Sequence, residues 1–95
     1  MKKDQVLQKL RELSPIYAQQ GFLIKGIFGS VARDEDTENS DVDILYQYTK
    51  KISFNDFLQL EATLEEYIGQ KVDLVNIDYA NPMIMRKAKK DIIYV

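Results

Sequence analysis

Apolar residues recur at helical spacing early in the chain, at Val6, Leu7, Leu10 and Leu13, with Asp4 placed to cap that helix. Ser14-Pro15 leaves two readings open: the helix ends near Leu13, or it kinks and continues through Tyr17 to Gln20. Gly21 suits a C-terminal cap. Phe22 to Phe28 has the apolar, β-branched character of a buried strand, ended by a Gly29-Ser30 turn, with Val31 to Arg33 as a short helical turn. Residues 34–39 form a polar loop, and Ser40 to Tyr48 reads as a second strand rich in Val, Ile, Leu and Tyr. Ser53 and Asp56 stand as a capping box for a helix that places Phe54, Phe57, Leu58, Leu64 and Ile68 on one face and stops at Gly69. Val72 to Ile77 is a third strand, Asn81-Pro82 starts a third long helix, and Asp91 to Val95 closes the chain as a short strand. This order predicts an α/β (α+β) fold in which helices flank a small mixed sheet. Residues 1–95 are expected to form a single domain without repeat or linker.

Composition narrows the chemistry. The chain has neither Cys nor His, which removes disulfides, thiol nucleophiles and imidazole acid–base catalysis. Any bound metal must take oxygen donors, which favours Mg²⁺, Mn²⁺ or Ca²⁺. A general base must be a carboxylate, Lys or Tyr. The net charge of −2 offers no broad attraction for nucleic acid. No apolar run is long enough to span a bilayer, and Met1-Lys2-Lys3-Asp4 lacks a signal-peptide core, so a cytoplasmic protein is expected. The six Tyr are expected mainly in the core and at interfaces, with Tyr46, Tyr48 or Tyr94 as candidate self-modification acceptors.

Charge is unevenly spread. Asp34, Glu35, Asp36, Glu38, Asp41 and Asp43 supply six of the 15 carboxylates. Arg86, Lys87, Lys89 and Lys90 gather at the end of the last helix, where its dipole favours cations. Asp41 and Asp43 are the informative pair. Spacing two in a strand points both to one face, where they repel each other, and Asp is a poor strand residue. A divalent cation carrying a nucleoside triphosphate would remove that conflict. Asp73, inside the apolar run Lys71-Val72-Asp73-Leu74-Val75, is either a partner for a basic residue or a third carboxylate on the same site. A Gly-Ser turn after a buried strand lets backbone approach phosphate closely.

Gly29-Ser30-Val31-Ala32-Arg33, a short loop, Ser40-Asp41-Val42-Asp43 and the later Asp73 strand together resemble the minimal nucleotidyltransferases of the DNA polymerase β-like superfamily. Many of these are antitoxins encoded beside a HEPN-type partner. The resemblance covers residues 22–77, with one departure: the family often has Gly after Arg33, where this chain has Asp34. It implies a nucleotidyltransferase fold in which Gly29 and Ser30 hold the triphosphate of ATP, and Asp41, Asp43 and Asp73 hold Mg²⁺. Asp73 would also activate the acceptor hydroxyl. Arg33 would either touch phosphate or pair with the acidic loop.

The resulting expectation is AMP transfer from ATP to a protein hydroxyl. Few residues are left over for an acceptor pocket, so a partner protein should present that hydroxyl. By resemblance the partner is a HEPN-type RNase toxin modified on Tyr, in a heteromeric complex with this chain as the antitoxin. The rivals are a non-catalytic antitoxin acting by occlusion and a small-molecule nucleotidyltransferase.

Overall fold

The computed structural model describes residues 2–95, so Met1 of the polar start lies outside them. The elements are α1 (Lys2–Gln19), β1 (Phe22–Phe28), α2 (Gly29–Ala32), β2 (Val42–Tyr48), α3 (Phe54–Ile68), β3 (Val72–Asn76), α4 (Pro82–Asp91) and β4 (Ile93–Tyr94). They build the expected mixed sheet, in the order β3-β2-β1-β4. β1 runs antiparallel to β2 and β4, while β2 and β3 are parallel, joined by the crossover helix α3.

The two faces of the sheet are covered differently. Phe22, Ile24, Ile27, Val42, Ile44 and Tyr46 pack against Val6, Leu7, Leu10 and Tyr17 of α1 and Leu60 and Leu64 of α3. On the other face α4 lays Ala88 over Phe28 and Leu45, with Val75, Ile77, Met85 and Ile92 around them. Strand alternation therefore sends Asp43 and Asp73 to the α4 side, where the cover is incomplete.

Several boundaries differ from the sequence reading, each for a physical reason. α1 starts at Lys2, so Asp4 lies in its first turn instead of capping it. The helix also runs on through Pro15. Tyr17 is buried beyond the proline and donates from its hydroxyl to the Leu60 carbonyl at 2.7 Å, which ties the last turn to α3. β2 begins at Val42, whose N–H donates to the Lys71 carbonyl at 2.9 Å, and Ser40 is instead folded into the loop by accepting from the Thr37 N–H. Asp41 thus precedes the strand.

On α3 the buried residues are Leu60 and Leu64, with Phe57 and Ile68 packed against the same core. Phe54 and Leu58 are exposed, because the inward stripe follows positions 57, 60, 64 and 68. Ser53 and Asn81 cap α3 and α4 as expected, accepting from the Asp56 and Ile84 N–H groups. Asp91 ends α4 and does not open the last strand. Tyr67, Tyr79 and Tyr94 are exposed, Tyr48 is half-buried, and Tyr17 and Tyr46 are buried. No helix among the described residues is long and apolar enough to cross a membrane.

Candidate active site

β1, β2 and β3 bring the candidate residues to one end of the sheet. In the parallel ladder Asp43 stands opposite Asp73, and across β1 it stands opposite Phe28, directly before Gly29. Gly29 has φ +76, and a Cβ there would collide with the Asp43 carboxylate. A glycine is needed twice at this point, once for the backbone conformation and once for the contact. Ser30 follows at the start of α2, half-buried, with no side chain capping the helix.

Asp43 carries the electrostatic signature of the site. Burial pushes its pKa from 3.8 up to about 6, aided by the charge of Asp73, a hydrogen bond between the two carboxyl groups, and the charge of Asp41; Arg33 opposes the rise. Two carboxyls sharing a hydrogen bond need a proton or a cation between them. Asp41 is exposed and adds its charge from outside the strand. Among the described residues no three carboxylates close into a ready ligand cluster. The facing pair with Asp41 nearby, all oxygen donors, could hold a hard divalent cation.

Arg33, at the end of α2, bonds through Nε to Glu35 at 3.1 Å and through Nη1 to Asp91 at 2.6 Å, which holds the guanidinium in its charged form. The loop acids Asp34 and Asp36 pair with Lys3 at 3.2 Å and Lys2 at 3.3 Å. Asp34 has φ 59, the one positive φ outside glycine among the described residues.

Residues 11–95 match the family described as polymerase beta, nucleotidyltransferase. The chain belongs to this nucleotidyltransferase family.

Within it, protein adenylyltransferase MntA of Thermococcus cleftensis is 39% identical over 70 residues, covering 74% of this chain and 71% of that protein. MJ1217 of Methanocaldococcus jannaschii, provisionally named a protein adenylyltransferase, is 41% identical over 70 residues, 73% of this chain and 71% of its own. A solved minimal nucleotidyltransferase, also provisionally named, superposes with a TM-score of 0.83 at 26% identity, covering 100% of this chain and 97% of that one. A chain of a toxin–antitoxin complex crystallised with AMP-PNP shares the fold, with a TM-score of 0.69 at 19% identity over 99% of this chain and 72% of that one. At Asp34, where the resemblance leads one to expect glycine, the backbone is left-handed, the conformation glycine adopts most readily, and here an Asp adopts it.

The sequence reading had no hold on Asp91. Its partner Arg33 lies 58 residues away, and nothing in spacing or hydropathy pairs two charges at that distance.

Proposed function

We propose that this chain transfers AMP from ATP to a Tyr hydroxyl of a HEPN-type RNase toxin and thereby acts as its antitoxin. The observation that carries the reading is the Asp43–Asp73 pair, set face to face beside the close-packed Gly29. Membership of the family and the protein adenylyltransferases among the relatives support it. So does the fold shared with a complex described as an MNT antitoxin with a tri-AMPylated Shewanella oneidensis HEPN toxin.

In the proposed mechanism Gly29 and Ser30 hold the triphosphate through backbone N–H and hydroxyl groups, with the α-phosphorus turned toward Asp73. Asp73 accepts the proton of the acceptor Tyr hydroxyl as its oxygen attacks the α-phosphorus. The bond to the bridging oxygen breaks, pyrophosphate leaves, and a tyrosyl-AMP ester remains. Asp41 and Asp43, with Asp73, would hold Mg²⁺, which when bound neutralises the charge of the phosphates. A bulky anionic group at the partner's RNase centre would then repel RNA phosphate.

The test is co-expression with the partner followed by intact-mass measurement. One or more AMP additions are expected with the wild-type chain and none with Asp43→Asn. A neutralised but unmodified partner would establish occlusion instead.

A further inference from the structure

We propose that Asp91 is a positioning residue for the nucleotide, acting through Arg33; the inference rests on the nucleotidyl-transfer reading above. Asp91 is the last residue of α4, on the opposite side of the sequence from the Gly-Ser turn. Its side chain is 13% exposed and accepts from Arg33 Nη1 at 2.6 Å, while the arginine itself is 42% exposed. The acid is thus the fixed member of the pair and the guanidinium the one that faces solvent.

Arg33 follows directly on the Gly29–Ala32 helix, whose first residue packs against the Asp43 carboxylate. The bonds to Glu35 and Asp91 use two of the roughly five N–H donors of a guanidinium, so about three remain for an anionic ligand. Of the loop acids Arg33 pairs with Glu35, while Lys3 and Lys2 take Asp34 and Asp36. An exposed arginine ordinarily samples many rotamers. One held in advance beside the carboxylate site loses less freedom on capturing a triphosphate. α4 therefore contributes to nucleotide binding without a side chain of its own on the ligand.

The experiment measures ATP affinity in the presence of Mg²⁺ by calorimetry on the full chain, with the melting temperature of the free protein recorded in parallel. Asp91→Asn keeps the volume and removes the charge. It should weaken ATP by about tenfold, the scale of one charge-assisted hydrogen bond. Asp91→Glu should recover most of that loss. Arg33→Ala/Asp91→Asn should bind no more weakly than Arg33→Ala alone, because the two act as one unit. In AMP transfer the KM for ATP should rise with Asp91→Asn while kcat holds within about threefold, whereas a loss of folded protein would lower kcat alone. Wild-type ATP affinity in Asp91→Asn, or weakening that simply adds to that of Arg33→Ala, would overturn the inference. A wild-type chain that binds no ATP would overturn the transfer reading itself, and this inference with it; intact ATP binding with no effect at Asp91 overturns only the inference.

Discussion

The two faces of β2 carry one alternating sequence to opposite ends. Val42, Ile44 and Tyr46 are buried under α1 and α3 in one cluster of apolar and aromatic residues. Phe22 stacks on Tyr46 with ring centroids 4.4 Å apart, and Tyr46 in turn meets Tyr48 and Phe57. On the other face Asp43, Leu45 and Gln47 follow one another, and only Leu45 is well covered. The two polar residues fare differently. The Gln47 amide donates to Asp78 Oδ1 at 3.1 Å, a neutral donor meeting a carboxylate. Asp43 meets Asp73, like charge with like. The core face is thus a packing problem solved by size and shape, and the far end of the α4 face is a satisfied polar edge. The near end alone sets two carboxyls opposite each other, the kind of unfavourable pairing that makes it the candidate binding or catalytic site.

The strongest way to break the comparison is to neutralise one member of the pair. Asp73→Asn leaves β3 intact and relieves the repulsion on Asp43, so the free protein should be at least as stable as wild type by thermal melting. Transfer of labelled AMP should nevertheless fall by about 10²–10⁴, the usual loss on removing a general acid–base group. ATP affinity should weaken much less. Transfer within a few fold of wild type would make Asp73 a structural residue.

Ile44, next to Asp43 on β2 but on the other face, should behave in the opposite way. Ile44 is fully buried in the main core. Ile44→Ala removes methyl and methylene groups from a packed interior and should lower the unfolding free energy by about 2–5 kcal/mol. Denaturant titration reads that directly. The fraction that remains folded should keep its ATP affinity, since no atom of Ile44 faces the site. The paired strands would then show stability lost with chemistry kept at position 44 of β2, and chemistry lost with stability kept at position 73 of β3.

This contrast also separates what the sequence could reveal from what it could not. The elements were legible because their signals are local: Asn81-Pro82 and Ser53 cap helices by reaching N–H groups three residues on, and apolar runs mark strands. Asp43 and Asp73 stood out because a carboxylate within an apolar strand sequence conflicts with its neighbours, although Asp73, on the edge strand, is exposed and only Asp43 is half-buried. Which of them face each other depends on a parallel register across 30 residues, set by the α3 crossover, and the family resemblance supplied that in place of local pattern. The bounds of β2 were misjudged at Ser40 and Asp41 because Ser40 bonds back to Thr37, a choice made by the loop and not by propensity. Grouping Phe54 and Leu58 on one face with Phe57, Leu64 and Ile68 followed from counting apolar residues without knowing which stripe α3 turns to the sheet, and both are exposed. The Arg33–Asp91 pair is tertiary throughout.

A smaller effect sharpens the near end further. The folded Asp43 carboxyl, with its pKa raised from 3.8 to about 6, holds its proton more tightly than in the unfolded chain. Its contribution favours folding below pH 4 and is lost as pH rises through about 6. A rise of that size is worth about 3 kcal/mol for a wholly enclosed group; Asp43 is only half-buried, and solvent screening brings the expectation to about 1 kcal/mol. The stability of Asp43→Asn should accordingly gain on wild type by about that amount between pH 4 and pH 7, in metal-free buffer. Parallel pH profiles for the two proteins would show that the carboxyl is not perturbed by its neighbours.

The smallest expected effect compares the two left-handed residues that bracket α2. At Gly29 the conformation comes with a carboxylate packed against the α-carbon, so no side chain fits. At Asp34, φ 59, the side chain points outward and pairs with Lys3 at 3.2 Å. Left-handed backbone costs a residue with a Cβ about 1–2 kcal/mol, somewhat less for Asp. An exposed ion pair returns about 0–1 kcal/mol, and a glycine adds unfolded-state entropy against folding of about 0.4–1 kcal/mol. These terms nearly cancel, so Asp34→Gly should change stability by no more than about 0.5 kcal/mol and leave ATP affinity unchanged, because the loop keeps its shape. Asp34→Ala keeps the strained backbone and loses both the pair and the tolerance of Asp for it, and should be the least stable of the three by about 1 kcal/mol. Chemical denaturation of the three proteins checks the order. An alanine variant as stable as wild type would mean that the loop can leave the left-handed conformation, and weakened ATP binding in the same variant would tie that conformation to the placing of Arg33, the residue just before it.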